Sequence, residues 1–310
     1  MCSPPIADPA SVASQGFPGA ASLGSRTVIG RRHQNGAWQA LADRLDARSR
    51  RHAAQAFRRI VRPPERKPVP PSRLVWRVTG TRDKQLFIES GRQSAREMRD
   101  AVSLLGRPLE DHQRILDFGC GCGRILLWLD DLGDDVDLIG SDIDVSAVEW
   151  ARANIPYARF IHSGHLPPLD LPDASVDLVL NHSVFTHLDE SHQDAWLSEL
   201  HRLTKPGGTV LLTVHGVHPF ESPLPHWRTF DWYTDEIERE WEQRGFVFID
   251  EETWRGKFPD FYRTTYHAPW YVFRHWGRLF DIKAYLVRGS LDYQDFVLMR
   301  RPATDPETVT

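Results

Sequence analysis

Cysteine is scarce in this chain of 310 residues: there are three, Cys2, Cys120 and Cys122. Two of them stand two residues apart in a glycine-rich stretch, too close for an ordinary disulfide framework. This usage fits a reducing cytoplasm, which is the expected location. A structural zinc site would need a second cysteine pair, and the sequence has none, so no metal is expected. No run approaches the roughly 18 apolar residues of a membrane span. The N-terminus lacks the basic-then-apolar pattern of a secretory signal. Arg31-Arg32 are followed by Gln34, Asn35 and Gly36 instead of an apolar stretch. A strong charge excess is also missing: the formal net charge is −4, so the whole protein is no electrostatic trap for nucleic acid.

The first 25 residues are rich in Pro, Ala, Ser and Gly and have no periodicity, which predicts a disordered N-terminus over 1–25. Residues 26–72 read as a basic helical arm ending in a Pro-rich linker. Trp38, Leu41, Leu45, Phe57 and Ile60 fall on one stripe, and residues 26–67 hold twelve Lys/Arg against three Asp/Glu. Such a helix can touch RNA or an anionic membrane, but the preferred reading is a solvated arm packing on the larger domain. Pro63, Pro64, Pro68, Pro70 and Pro71 stiffen the linker. The main domain is placed at 73–301, and 302–310 is a disordered tail.

Within that domain the chain alternates. Helical periodicity covers Lys84 to Leu105, closed by Gly106 and Pro108. Strands are expected at Arg114–Phe118, Val136–Ile139, Ala158–His162, Val176–Leu180 and Thr209–Val214. Helices are expected at Arg124–Leu132, Val145–Ala153 and Glu190–Leu203. Strands separated by helices imply a parallel sheet with right-handed crossovers, and their continuous apolar character implies helices on both faces. Later come helices at Asp235–Arg244, N-capped by Thr234, and at Pro269–Arg278. Two strands, Phe280–Val287 and Gln294–Arg300, finish the domain. Residues 220–278 hold seventeen Phe, Trp and Tyr, about half of the chain's total. The stretch 217–265 is therefore read as an aromatic-rich cap insert. Its Phe220, Trp227, Phe230, Trp232 and Tyr233 would either line an apolar pocket or form a small core of the insert, as Trp241, Phe246 and Phe248 also would.

The sharpest motif is Ile115-Leu116-Asp117-Phe118-Gly119-Cys120-Gly121-Cys122-Gly123-Arg124, at a strand-to-helix turn. Its glycines permit positive φ and close approach to a ligand, and the following helix would present its amino end. A dinucleotide fingerprint reads Gly-x-Gly-x-x-Gly. Here the third glycine comes one residue earlier, and an aspartate precedes the first by two. Nineteen residues after Gly123, at the end of the next strand, stands Asp142 in Gly140-Ser141-Asp142-Ile143-Asp144. An acid there can accept hydrogen bonds from both ribose hydroxyls, and Asp144 suits the N-cap of the next helix.

These motifs together resemble class I S-adenosylmethionine-dependent methyltransferases. The resemblance extends through Leu171–Val179 and Leu203–Thr209 to the terminal strand pair with Gln294-Asp295, roughly residues 80 to 301 without the insert. It implies an α/β fold, a doubly wound, mostly parallel seven-stranded sheet, and S-adenosylmethionine as cofactor. It implies a loop of Gly119, Cys120, Gly121 and Gly123 around that cofactor, with Asp117 near its methionine end, Asp142 on the ribose and Ile143 on the adenine. Asn181 is placed in the same site. Many relatives carry an acid before the fourth strand for the adenine amino group; here Gly164 and His165 occupy that place, and a neutral imidazole or a backbone carbonyl would have to accept.

Methyl transfer from a sulfonium is an in-line displacement, and a hydroxyl or ammonium acceptor must lose its proton, a task suited to histidine. Ligands of open α/β sheets lie at the carboxyl ends of the strands. The fourth strand ends in Asn181-His182-Ser183-Val184-Phe185-Thr186-His187, the fifth in His215-Gly216-Val217-His218. His182 and His187 are the catalytic candidates, ahead of His215 and His218; Tyr262, Tyr266 and His267 are weaker ones. The Asn-Pro-Pro-Tyr and Pro-Cys motifs of two nucleic-acid-modifying classes are missing. The expected partner is therefore a small-molecule methyl acceptor, such as a natural-product intermediate or a sugar, and not nucleic acid. The alternatives are an RNA or protein methyltransferase using the basic arm, a non-catalytic cofactor-binding subunit, and a nicotinamide oxidoreductase, which the glycine spacing disfavours. The oligomeric state is not legible.

Overall fold

The computed structural model describes residues 67–250 and 259–304. The expected disordered N-terminus, the arm before residue 67, and residues 305–310 of the tail lie outside the described residues. Ser72–Thr79 is a first helix, α1, closed by Gly80 at φ 72°. Helix α2, Lys84–Ser103, is capped by the Asp83 carboxylate, which accepts from the Gln85 and Leu86 amides. Its buried stripe of Phe87, Gly91, Ser94, Ala95, Met98, Ala101 and Val102 has helical spacing.

The sheet that follows is seven-stranded: β1 Arg114–Phe118, β2 Asp137–Asp142, β3 Ala158–His162, β4 Val176–Asn181, β5 Thr204–Val214, β8 Asp281–Ser290 and β9 Gln294–Arg300, in the order β3-β2-β1-β4-β5-β9-β8. Strands β1 to β5 pair in parallel, while β9 runs antiparallel between β5 and β8. The order reverses between β1 and β2 on one side and β4 on the other, which puts the carboxyl ends of β1, β2 and β4 around one crevice. β4 is buried along its whole length, as a central strand covered on both faces must be. The crossover helices are α3, Val145–Asn154, and α4, Glu190–Leu203; Asp144 and Asp189 cap them with their carboxylates.

Two expectations are corrected. No regular helix spans Arg124–Leu132. The segment winds as short 3₁₀ turns at Leu126–Trp128 and Asp130–Asp135, with Trp128, Leu129 and Leu132 bonding three residues back. Ile125, Leu126, Leu127, Leu129 and Leu132 are all buried. The amino end of a helix is therefore not what faces the glycine loop. The Pro269–Arg278 helix is likewise regular only over α8, Pro269–His275, and tightens to 3₁₀ at Trp276–Arg278.

The insert contributes short helices α5 (Val217–Glu221) and α6 (Leu224–Trp227), helix α7 (Asp235–Arg244) and a separate two-stranded sheet of β6 (Phe246–Ile249) with β7 (Thr264–His267). Phe220, Trp227, Val247, Ile249 and Tyr266 bury one another there, flanked by Trp232, Tyr233, Ile237 and Trp241. The Phe220 ring stacks on Trp241 at 4.2 Å and Tyr266 meets Trp227 at 5.3 Å. These rings satisfy each other, so they are a core and not the wall of a pocket; Phe230 remains exposed. No helix among the described residues is long and apolar enough to cross a membrane.

At the far end of the sheet, Asp177 in β4 pins the start of β1. Its carboxylate accepts from the Gln113 and Arg114 amides at 2.8–3.2 Å and pairs with Arg107 at 2.7 Å. Those backbone donors, with Arg107 and His112, outweigh burial and hold its pKa below the ordinary 3.8. A depressed carboxylate stabilises the fold above its unfolded pKa, and that contribution disappears as the pH falls through the folded value. Asp177→Ala, which leaves two amides unpaired, is expected to cost about 1–3 kcal/mol in urea unfolding at pH 7, and the gap to the native protein should narrow below pH 3.8. A gap unchanged by acid would show that the ionised carboxylate is not the cause.

Candidate functional site

The glycine loop is held by two strands at once. The Gly119 and Cys120 amides donate to the Ser141 carbonyl of β2, at 2.8 and 2.9 Å. The Gly121 amide donates to Asp142 Oδ2 at 2.7 Å, and Asp142 Oδ1 accepts from the Asp144 amide at 2.8 Å. The two features that stand 21 residues apart in sequence are thus one hydrogen-bonded unit. Gly119 and Gly121 have φ of 75° and 54°, which a side chain disfavours. A Cβ on Gly119 would overlap Val184, and one on Gly121 would lie 2.7 Å from Val78 Cγ2 of α1. The glycines are therefore required by protein neighbours as well as by backbone conformation. Arg77 of α1 pairs with Asp144 at 2.5 Å, which fixes α1 against this loop. Cys120 and Cys122 are buried free thiols with pKa values raised by burial.

Beneath the loop, Asp117 is 1 % exposed and its Oδ2 has no hydrogen-bond partner among the described residues. Burial pushes its pKa up to about 7, with Arg124 opposing and Asp142 adding to the shift. On the neighbouring strand, Asn181 donates from Nδ2 to the Phe118 carbonyl at 2.6 Å, which leaves Oδ1 as a second buried acceptor without a partner among the described residues. Asp142 is raised as well, by burial against its two backbone donors. Ile143 is half-buried, and Gly164 and His165 are exposed. The His165 ring meets Phe261 edge-on at 5.1 Å, while its carbonyl accepts from Trp196 Nε1 at 3.0 Å.

The loop after β4 is zipped to the strand that returns from the insert. The Arg263 amide donates to the His187 carbonyl at 2.9 Å, the Thr265 amide to the Thr186 carbonyl at 2.8 Å, and Leu188 bridges Tyr262. Gln193 of α4 donates to the Phe185 and Leu188 carbonyls, both at 2.9 Å, and its oxygen accepts from His267 Nε2 at 2.9 Å. This closure brings His182, His187 and His215 together at the carboxyl ends of β4 and β5. The His187 ring stacks on Tyr262 at 4.5 Å and meets His215 at 6.1 Å. His182 and His187 are half-buried as residues, and their surroundings depress both pKa values. Burial, then Arg124 and His215, lowers His182 well below 6.5; burial lowers His187 to about 4. His267 is buried and lowered to about 3, also by burial, and His218 lies apart, edge-on to Tyr293.

Residues 115–208 match the family described as a methyltransferase domain. Over 140 residues the chain is 35% identical to a protein of Mycolicibacterium smegmatis named probable S-adenosylmethionine-dependent methyltransferase, covering 44% of this chain and 52% of that one. It is 30% identical over 112 residues to the tRNA N(3)-cytidine methyltransferase of Gallus gallus, covering 33% of this chain and 30% of that one. The chain thus spans about half the length of the first relative and less of the second. Residues 115–208 carry a methyltransferase domain similar to those of S-adenosylmethionine-dependent methyltransferases. A crystal structure of the PH0226 protein from Pyrococcus horikoshii OT3 shares this fold, with a TM-score of 0.51 at 18% identity over 73% of this chain and 98% of that one.

The residues of the methyltransferase domain fit its cofactor. Its ammonium and sulfonium are cationic, and Asp117 Oδ2 and Asn181 Oδ1 are buried acceptors at the ends of adjacent strands. The Asp142 carboxylate stands at the end of β2, where a ribose is bound in related sheets. Two residues to which sequence reasoning gave no role in the site also build it. Arg124 turns inward to Ser90, Ser94 and His182, at 3.1, 3.4 and 3.1 Å. Gln294 donates to Ser183 Oγ beside His215. A buried arginine after a glycine loop and a glutamine on a closing strand carry no distinctive spacing, so nothing in the sequence marks them.

Asp117 gives a direct test. For an acid whose folded pKa of about 7 exceeds the ordinary 3.8, ionisation opposes folding, so the native protein loses stability as pH rises between those values. Asp117→Asn is expected to raise the melting temperature of the ligand-free protein more at pH 8 than at pH 5, while weakening cofactor binding. A pH-independent difference would contradict the burial of an ionisable Asp117.

Proposed function

We propose that the protein transfers a methyl group from S-adenosylmethionine to an oxygen or nitrogen of a small molecule. The observation that carries the methyl-transfer reading is the joined unit of glycine loop and Asp142, with the partnerless oxygens of Asp117 and Asn181 beside it. When bound, the cofactor supplies an electrophilic methyl group on a sulfonium. Asp142 would hold the ribose, Ile143 the adenine, and Asp117 and Asn181 the methionine end. The chain's own task is then to hold the acceptor in line, a positioning effect that can be worth several kcal/mol. Gly164 and His165 are the candidates for the adenine edge, where His165 is braced by Phe261.

Closure of the acceptor side supports a small acceptor. Residues 262–265 are bonded across 186–188, and His215 behind them is 7 % exposed. A folded macromolecule would have to break that zipper to present a nucleophile there, whereas a small molecule would not. The relatives do not choose for us, since one carries tRNA in its name and another, from Methylococcus capsulatus, an acyl-carrier protein.

The test is transfer of label from methyl-labelled S-adenosylmethionine into fractionated cell extract by the full chain. Label is expected in the small-molecule fraction, and it should persist after nuclease and protease treatment of the extract. Label found only in RNA or protein would overturn the acceptor class and leave the methyl-transfer reading standing.

A further inference from the structure

Gln294 opens β9, and β5 separates that strand from β4 in the sheet. Its side chain nevertheless reaches the loop after β4: Nε2 donates to Ser183 Oγ and stands 3.5 Å from His215 Nε2. Both of those atoms have a lone pair to offer, the imidazole because burial holds His215 neutral. The donor end of the carboxamide is thereby occupied. The other end is not: Gln294 is 8 % exposed, and its Oε1 is buried without a hydrogen-bond partner among the described residues. Leaving a buried carbonyl oxygen unpaired destabilises the fold, which is the mark of a group kept for a ligand.

Ser183 fixes this orientation and is itself constrained. Its φ is 60°, a left-handed conformation that a serine holds only where its surroundings impose it. Its amide donates to Thr213 Oγ1 of β5 at 2.8 Å, while its hydroxyl receives Gln294. Asn181, two residues earlier, would serve the methionine end of the cofactor through Oδ1. In the order β1-β4-β5-β9, Gln294 therefore stands beyond the cofactor crevice, on the side from which an acceptor approaches. The neighbouring His215 meets the exposed Tyr293 ring edge-on at 5.6 Å, so this wall of the site lies one ring from the protein surface.

We propose that Gln294 is a recognition residue for the methyl acceptor, its Oε1 accepting a hydrogen bond from an O–H or N–H that the acceptor molecule carries next to the atom being methylated. A carboxamide is too weak a base to remove a proton, so this hydrogen stays on the molecule through the reaction. The substrate class is a compound with two neighbouring donor groups, one methylated and one kept, such as a vicinal diol or an amino alcohol. A molecule whose second group is an ether, a ketone or a carboxylate would set its lone pairs against Oε1. This acceptor class rests on the methyl-transfer reading; the orientation of the amide does not.

Two substitutions at Gln294 separate recognition from packing. Gln294→Met keeps the length of the side chain and removes both polar atoms. Gln294→Glu keeps an accepting oxygen at the free end, and the Ser183 hydroxyl can turn to donate to the other. Transfer of label from methyl-labelled S-adenosylmethionine into the small-molecule fraction of cell extract is followed with the full chain over a dilution series of the extract. Gln294→Met is expected to slow transfer about 10- to 100-fold in dilute extract. That loss should shrink as the extract is concentrated, because binding of the acceptor is impaired and the transfer step is not. Affinity for S-adenosylhomocysteine, measured by calorimetry, should be unchanged. Gln294→Glu should recover most of the rate, and Ser183→Gly, which suits the left-handed backbone but frees the amide, should lose several-fold. Mass spectrometry of the labelled product in deuterium oxide should show at least one exchangeable hydrogen. A folded Gln294→Met protein as active as the native one, a Gln294→Glu protein no better than Gln294→Met, or a product with no exchangeable hydrogen would overturn the proposal and leave the methyl-transfer reading standing. Should Gln294→Met not fold, Ser183→Gly decides, and native rates there would refute the arrangement. A native protein that binds the cofactor and labels no small molecule would overturn the small-acceptor reading and this recognition with it.

Discussion

The hydrogen bond from the Gly121 amide to Asp142 Oδ2, 2.7 Å long, is the constraint on which the rest of the site depends. It joins the turn after β1 to the end of β2, beside the point between β1 and β4 where the strand order reverses. It also explains why the turn contains glycine: a loop drawn in close enough to reach that carboxylate takes left-handed backbone angles and is pressed by Val78 and Val184. Asp144, two residues on, caps α3 and pairs with Arg77 of α1. One short acidic segment therefore organises the loop, the crossover helix and the helix that precedes the sheet.

The site has two halves with different electrostatics. Around the loop, Asp117 and Asp142 are carboxylates raised by burial, an arrangement that stores unfavourable charge until a cation approaches. Such a cost is usual for groups reserved for a ligand. At the ends of β4 and β5, His182, His187 and His215 are all held neutral, with Arg124 as the nearby cation. The insert contributes to this second half through its return strand and not through its aromatic rings. Tyr262 and Arg263 position His187, while Trp227, Phe220 and Tyr266 hold the insert itself together.

Much of this was legible in the sequence, for physical reasons that differ from residue to residue. Short apolar runs such as Arg114–Phe118 and Gln294–Arg300 gave strands at those residues because central strands are buried on both faces. Asp117 and Asp142 could be placed because strand ends and glycine turns have local signatures. The end of β4 pointed to His182 and His187 for the same reason. What was not legible depends on contacts between distant residues. β6 pairs with β7 although Ile249 and Thr264 lie far apart in the sequence of the insert. Arg124 follows the glycine loop like a surface residue but is drawn inward by Ser90, Ser94 and His182. The aromatic composition of the insert could serve a pocket or a core, and only the ring contacts distinguish them. The residues after Gly123 have helical propensity, yet they wind as 3₁₀ turns with most of their side chains buried.

The central claim is that this loop and this acid hold S-adenosylmethionine. It is tested most directly by calorimetric titration of the full chain with S-adenosylmethionine and with S-adenosylhomocysteine, for the native protein and for Asp142→Ala. Binding of both by the native protein is predicted. The substitution should weaken it by about 1–3 kcal/mol through loss of the ribose hydrogen bonds, with the fold retained by circular dichroism. A well-folded native protein that binds neither compound, or a variant that binds both as tightly as the native chain, would contradict the account.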